Sequence, residues 1–101
     1  MSARIKISFA GSAVGDLEDI LDFYREQQIS RVGEKLVAEI MKDIELLDGQ
    51  PDMGRVVPEF ELEYPRELIR PPFRIVYRRD HDKVRIIRIW RSERLLVLPC
   101  R

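Results

Sequence analysis

Arginine is the residue type with the clearest chemical use in this sequence. Ten arginines lie in residues 66–101, where 11 basic side chains face 4 acidic ones, whereas residues 1–65 hold 7 basic and 14 acidic side chains. A guanidinium offers a planar fork of donors that pairs in bidentate fashion with phosphate or carboxylate. The asymmetry predicts a polyanionic partner for the second half, either a nucleic acid or an acidic protein segment. The alternative is a solvated sheet face that balances an acidic helix face.

Groups that could transfer a proton or hold a metal are few in the basic half. Asp80-His81-Asp82 reads as a hairpin turn, where we expect a solvated histidine and no convergence of ligands on a cation. Cys100 lacks a neighbouring base and is expected to be an idle thiol. Glu67 follows Arg66 and is expected to be an ion-pair partner. We therefore predict neither a metal site nor a cofactor.

The length and composition of the chain limit the number of domains and the class of protein. The chain has 101 residues, of which 45% are apolar and 36% charged, and this predicts one domain over residues 1–101. No apolar run is long enough to span a bilayer, and residues 1–6 do not resemble a signal peptide. A single cysteine excludes an internal disulfide. We expect a cytoplasmic protein.

The first half predicts a strand followed by two helices. Residues 4–9 alternate apolar and polar side chains, as a half-buried strand does. Apolar residues then recur at helical spacing to about residue 27, with Ser12 as the expected N-cap, and Ser30 is expected to cap a second helix. Gly49 is expected to end this helix in a left-handed conformation. The two helices should form an antiparallel hairpin.

The second half predicts a loop and three strands. Residues 50–65 show no periodicity, whereas 66–70, 73–79 and 83–91 read as strands, the last two joined at the 80–82 turn. One face of the middle strand should carry Phe73, Ile75 and Tyr77, and the other Arg74, Val76 and Arg78. This order predicts an α+β fold in which an N-terminal strand and a helical hairpin pack with a mostly antiparallel sheet that three C-terminal strands complete. The second sheet face should be open and rich in arginine.

Taken in order, these segments resemble the RelE/ParE toxins of bacterial type II toxin–antitoxin systems. The resemblance is carried by residues 13–20, 23–24, 47–55, 66–68, 73–78 and 84–94. It implies an α+β toxin fold and a cognate antitoxin that wraps a segment around the toxin. Within this superfamily, RelE-like members cleave mRNA on the ribosome, whereas ParE-like members inhibit DNA gyrase. Plasmid stabilisation modules also contain such toxins.

The resemblance also suggests site residues. Arg74 matches the arginine of an aromatic-Arg-x-x-Tyr strand, and Arg94 matches the one after the last strand. A ribonuclease would use Arg74, Arg91 and Arg94 on the phosphate. The wider set expected to contact target or antitoxin is Arg55, Arg66, Arg70, Arg74, Arg78, Arg91 and Arg94. For Arg55, a hydrogen bond that fixes its loop is an equal alternative.

The comparison with RelE-like enzymes favours a ParE-like protein. The catalytic tyrosine position falls near Cys100, the paired sheet lysines have no counterpart, and arginine is too basic to shuttle a proton. The Pro-x-x-Gly-Arg and Arg-Glu-Leu segments also favour ParE. We therefore expect a gyrase inhibitor that is not an enzyme. The alternatives are a metal-independent endoribonuclease acting on ribosome-bound mRNA, and an inactive toxin-fold remnant that binds only its antitoxin.

Overall fold

The computed structural model describes residues 5–56 and 65–91 of the chain. Within them, one strand is followed by two helices and four more strands. The elements are β1 (Lys6–Phe9), α1 (Gly11–Glu26), α2 (Ser30–Leu46), β2 (Arg55–Val56), β3 (Pro65–Arg70), β4 (Phe73–Arg79) and β5 (Lys83–Arg91). Neither α1 nor α2 is long and apolar enough to cross a membrane.

The five strands form one mixed sheet in the order β1-β5-β4-β3-β2. Strand β1 runs parallel to β5, and the other neighbours are antiparallel. The helical hairpin packs on one face, with α1 against β5 and β1 and α2 against β3. The predicted α+β architecture is thus confirmed. Strand β2 corrects the prediction of a loop over residues 50–65, because Arg55 and Val56 pair with Glu67 and Arg66.

The close approach of the two helices depends on Gly33. A Cβ at this position would lie 2.9 Å from the Cβ of Tyr24 on α1, so a larger residue would push the helices apart. Gln28, in the connection between the helices, adopts the left-handed conformation with φ 63°. The predicted left-handed glycine at residue 49 was wrong, since no glycine of the described residues has a positive φ.

The predicted helix caps were also wrong. Ala10 and Ile29 occupy the N-cap positions of α1 and α2, and neither makes a side-chain cap hydrogen bond. Ser12 instead lies in the first turn of α1, where its hydroxyl donates to the carbonyl of Ile87 on β5 at 2.7 Å. The Ser12 hydroxyl thus donates to a distant strand, whereas the oxygen of an N-cap serine accepts from a nearby backbone amide of its own helix.

The core lies between the hairpin and the covered face of the sheet. The inner stripe of α2 contributes Ile40, Ile44 and the following Leu47, as its 3.6-residue periodicity predicts. The helices and strands bury Ala13, Ile20, Ile40, Ile44, Leu47, Phe73, Ile75, Tyr77, Val84, Ile86 and Ile89. The predicted separation of Phe73, Ile75 and Tyr77 from Arg74, Val76 and Arg78 follows from this arrangement.

A β-bulge interrupts β5. Tyr77 pairs with Ile86 whereas its neighbour Val76 pairs with Arg88, so Ile87 is the extra residue. The bulge moves Ile89, rather than Arg88, onto the core face that Ile86 occupies. This explains why the alternation of apolar residues in the sequence breaks at residue 88.

Candidate functional site

The face of the sheet opposite the helices holds part of the predicted arginine set. Residues that pair across strands share a face, so Arg74, Val76 and Arg78 of β4 lie on the same side as Glu67 of β3 and Arg85 of β5. The centre of this face is buried, with Arg74 4% and Val76 2% exposed. The expected open arginine face is therefore closed at its centre. Among the described residues, its exposed arginines lie away from that centre: Arg78 and Arg85 near the 80–82 turn, and Arg55 on β2, which pairs with Glu67.

Glu67 organises two of these arginines. Its side chain is fully buried; Oε2 accepts from Nε of Arg55 at 2.5 Å, and Oε1 accepts from Nε of Arg74 at 2.5 Å. The side chain of Arg74 is 5% exposed, whereas that of Arg55 is 64% exposed. The prediction of Glu67 as an ion-pair partner is confirmed, but its partners come from β2 and β4. Its sequence neighbour Arg66 lies on the other face because side chains alternate along a strand.

Arg66 fixes the loop that precedes β2. One guanidinium nitrogen, Nη1, donates to the carbonyl of Gly54 at 2.8 Å, and Nε lies 3.7 Å from the Asp52 carboxylate. The hydroxyl of Tyr77 accepts from the Gly54 amide at 3.0 Å and donates to the Pro51 carbonyl at 2.8 Å. The Pro-x-x-Gly-Arg segment is thereby tied to the core.

Burial raises the pKa of the Tyr77 hydroxyl above its ordinary value, and the hydrogen bond from the Gly54 amide partly opposes this shift. The tyrosine is therefore neutral at physiological pH. Gly54 allows this contact, because a Cβ there would lie 2.6 Å from the Tyr77 oxygen and 2.7 Å from the Glu67 carbonyl oxygen. The two motifs that favoured ParE in the sequence thus meet in one hydrogen-bonded cluster.

Arg70 joins the sheet to α2. Its Nε and Nη2 donate to the two carboxylate oxygens of Asp43 at 2.6 and 2.8 Å. Hydrogen bonding to this carboxylate raises the pKa of Arg70 above its ordinary value. Arg70 is thus engaged by a helix of the same domain, on the face opposite Arg74 and Arg78.

A groove of about 890 Å³ lies between α1 and the ends of β4 and β5. Its floor is aromatic and aliphatic, and Phe23 is 49% exposed at its side. Arg91 also lines the groove, with its guanidinium carbon 5.8 Å from the centre of the Phe73 ring. The apolar lining comprises Ile20, Phe23, Tyr24, Phe73, Ile89 and Trp90.

Asp16 holds one wall of this groove in place. Its carboxylate accepts two hydrogen bonds from Arg88, at 2.8 and 3.0 Å, and one from the backbone amide of Ile89 at 2.8 Å. Hydrogen bonding to the Asp16 carboxylate raises the pKa of Arg88, whose guanidinium carbon lies 4.9 Å from the centre of the Trp90 ring. Strand β1 ends at Phe9, and beyond it two side chains of α1, Ser12 and Asp16, hydrogen-bond the backbone of β5.

The six arginines of the predicted binding set that the structure describes have different surroundings. Arg55, Arg66, Arg70 and Arg74 bond other residues of the chain, Arg78 is exposed beside Asp80, and Arg91 lines the groove. Arg94 and Cys100 lie outside the described residues. His81 is exposed on the turn between β4 and β5, where the sequence predicts it. Residues 5–56 and 65–91 contain no group of three or more His, Cys, Asp or Glu that could hold a metal ion. Sequence reasoning missed the roles of Asp16 and Tyr77, whose bonds join residues far apart in the chain.

Comparison with known proteins then decides the family. The model of the ParE toxin of the type II toxin–antitoxin system parDE matches residues 7–96. The chain belongs to the ParE toxin family. It is thus a type II toxin–antitoxin toxin of the ParE/RelE superfamily, as the resemblance of its segments implies. No curated protein sequence matches it.

Solved structures agree with this assignment. The chromosomal ParDE system of P. aeruginosa is 26% identical with a TM-score of 0.71, and the alignment covers 86% of this chain and 95% of that one. The RelBE2 toxin–antitoxin complex of Mycobacterium tuberculosis is 21% identical over 90% and 94% of the two chains, with a TM-score of 0.63. The DinJ-YafQ complex of E. coli is 12% identical over 92% and 98%, with a TM-score of 0.60. The last two likenesses concern the fold.

Proposed function

We propose that this ParE-family toxin inhibits DNA gyrase by binding it, breaks no bond itself, and is neutralised in the cytoplasm by a cognate antitoxin. The observation that carries the proposal is the ParE family match over residues 7–96. The likeness to the P. aeruginosa ParDE system, at 26% identity over 95% of that chain, supports it. A plasmid stabilisation role would follow if the gene pair is carried on a plasmid.

The engagement of Arg74 argues for a binding protein over a ribonuclease. A ribonuclease would direct this guanidinium at the scissile phosphate, but Arg74 is buried and bonded to Glu67. The Tyr77 hydroxyl has both a donor and an acceptor partner inside the fold and a raised pKa, which makes it a poor proton shuttle near neutral pH. Both groups therefore serve the fold.

The groove is the surface that best suits the antitoxin. Its aromatic floor can bury apolar side chains, and Arg91 at its edge can bond a carboxylate. An antitoxin segment that is partly apolar and partly acidic, and that orders on binding, fits this combination. Of the predicted arginine set, we retain Arg91 for the antitoxin contact because it lines the groove, and Arg78 for contact with the target or the antitoxin because its side chain is exposed. We further propose that Arg94, which follows β5 in sequence, contributes to the same contacts.

Calorimetry with groove variants tests the antitoxin surface. Phe23→Ala should weaken the complex by about 2 kcal/mol or more, as truncation of an interface anchor does. Val32→Ala is the matched control, because Val32 is 43% exposed on α2 and does not line the groove. Equal affinities of the two variants for the antitoxin would show that the antitoxin binds another surface.

Induction of the toxin in growing cells tests the target. We expect DNA synthesis to stop with an SOS response before translation slows, because a poisoned topoisomerase damages DNA. Translation arrest as the first event would favour the ribosome-dependent ribonuclease. Normal growth, with antitoxin binding retained, would identify an inactive remnant.

A further inference from the structure

A group of exposed cations lies where β1, β5 and β4 meet near the 80–82 turn, on the face opposite the helices. Lys6 of β1 pairs with Lys83 of β5, and Arg85 of β5 pairs with Arg78 of β4. All four side chains are exposed, and Ser8, also exposed, lies opposite Arg85 on β1. We call these five residues the basic corner. Lys6 and Ser8 add the first strand to a surface whose other members come from the arginine-rich half.

Repulsion between the like charges of the basic corner destabilises the fold. Like charges directly opposite each other on neighbouring strands are destabilising, and the register places two such pairs side by side. Nε of Arg78 lies 3.3 Å from the Asp80 carboxylate, which offsets part of one repulsion. Within residues 5–56 and 65–91, no carboxylate forms an ion pair with Lys6, Lys83 or Arg85. The Arg85 guanidinium instead donates to the Ser8 hydroxyl at 3.3 Å.

We propose that the basic corner binds the phosphate backbone of a nucleic acid. Four cations on three adjacent strands can reach successive phosphates, and Ser8 adds a hydroxyl that can donate to a phosphate oxygen. The corner contains no apolar side chain, whereas the core of a protein–protein interface is apolar and poor in charge. Backbone contacts to nucleic acid are instead polar and strongly basic. An acidic protein segment is thus the less suitable ligand, and this site is separate from the aromatic groove.

Fluorescence anisotropy with the full-length toxin tests the site. The probes are a short DNA duplex and a single-stranded RNA of the same length, each titrated between about 50 and 200 mM salt. We compare the triple variant Lys6→Gln, Lys83→Gln, Arg85→Gln with the control Arg31→Gln, Lys35→Gln, Lys42→Gln, which removes the same charge from exposed positions of α2. Thermal unfolding of both variants verifies that they fold.

The corner variant should lose about tenfold or more in affinity for the duplex at low salt, and its log–log salt slope should flatten by about 2 to 3, which corresponds to about 0.9 per lost phosphate contact. The α2 control should keep both values. A greater loss for the RNA than for the duplex would identify single-stranded RNA as the source of the phosphates. Equal losses in the two variants, or no binding by the wild type at low salt, would overturn the proposal. The proposal would also be overturned if the corner variant lost affinity for an acidic peptide but kept its affinity for both nucleic acids.

Discussion

Replacing Glu67 by glutamine should unfold this protein at a much lower temperature. The substitution preserves the shape of the side chain but removes the negative charge that two guanidiniums bond, one of them on the 5% exposed side chain of Arg74. Removing one member of a buried ion pair typically costs about 3–5 kcal/mol. Taking about 3 kcal/mol, and about 4–8 °C per kcal/mol for a domain near 100 residues, the melting temperature should fall by about 12–24 °C.

Circular dichroism melts and urea titrations measure this loss, and Arg55→Gln is the matched control. The side chain of Arg55 is 64% exposed, so loss of its bond to the same carboxylate should cost about 1 kcal/mol or less. The double variant Glu67→Leu, Arg74→Leu should recover much of the stability, because an apolar pair can replace a buried ion pair with little loss. A Glu67→Gln protein within about 0.5 kcal/mol of wild type would refute the structural role that we assign to this cluster.

Three further substitutions test the loop cluster and the groove wall. Gly54→Ala should cost about 1–3 kcal/mol in urea unfolding, because its Cβ meets the Tyr77 hydroxyl at 2.6 Å, whereas Gly49→Ala, which meets nothing within 4 Å, should cost little. Tyr77→Phe should cost about 1–3 kcal/mol at neutral pH. The free energy of unfolding of the wild type should be constant up to about pH 10 and fall above it, because the tyrosine ionises at lower pH in the unfolded chain than in the folded one. The variant should lose less stability at alkaline pH. An unchanged alkaline profile would contradict the role of the hydroxyl. Asp16→Asn should cost about 1–3 kcal/mol in thermal melts, because it weakens three hydrogen bonds to β5, and the exposed Asp19→Asn should not; equal melts would show that the carboxylate does not hold the strand.

The elements of this fold could be predicted because their signals are local. Helical spacing of apolar residues and strict alternation specify which face of each element is buried. Alternation alone predicts that Phe73 and Tyr77 share the core face and that Arg74 lies on the other face. The bulge at Ile87 could be detected only as a break in the pattern, since the extra residue is defined by its partner strand.

The partners of the charged residues could not be predicted, because they are set by the sheet order. Glu67 is followed three residues later by Arg70, yet it bonds Arg55 and Arg74, which the neighbouring strands place beside it. Lys6 lies opposite Lys83 because β1 and β5 are parallel neighbours. A list of arginines in the sequence therefore says little about which of them face outward.

Inhibition of purified DNA gyrase is the most direct test of the proposed function. The toxin is added to a supercoiling assay with relaxed plasmid and ATP, with and without its antitoxin, and Glu67→Gln serves as a destabilised control. We predict that the wild type blocks supercoiling and that the antitoxin restores it. Full gyrase activity in the presence of folded toxin would contradict the proposed function. Codon-specific mRNA cuts on translating ribosomes, measured by primer extension, would then identify a ribonuclease.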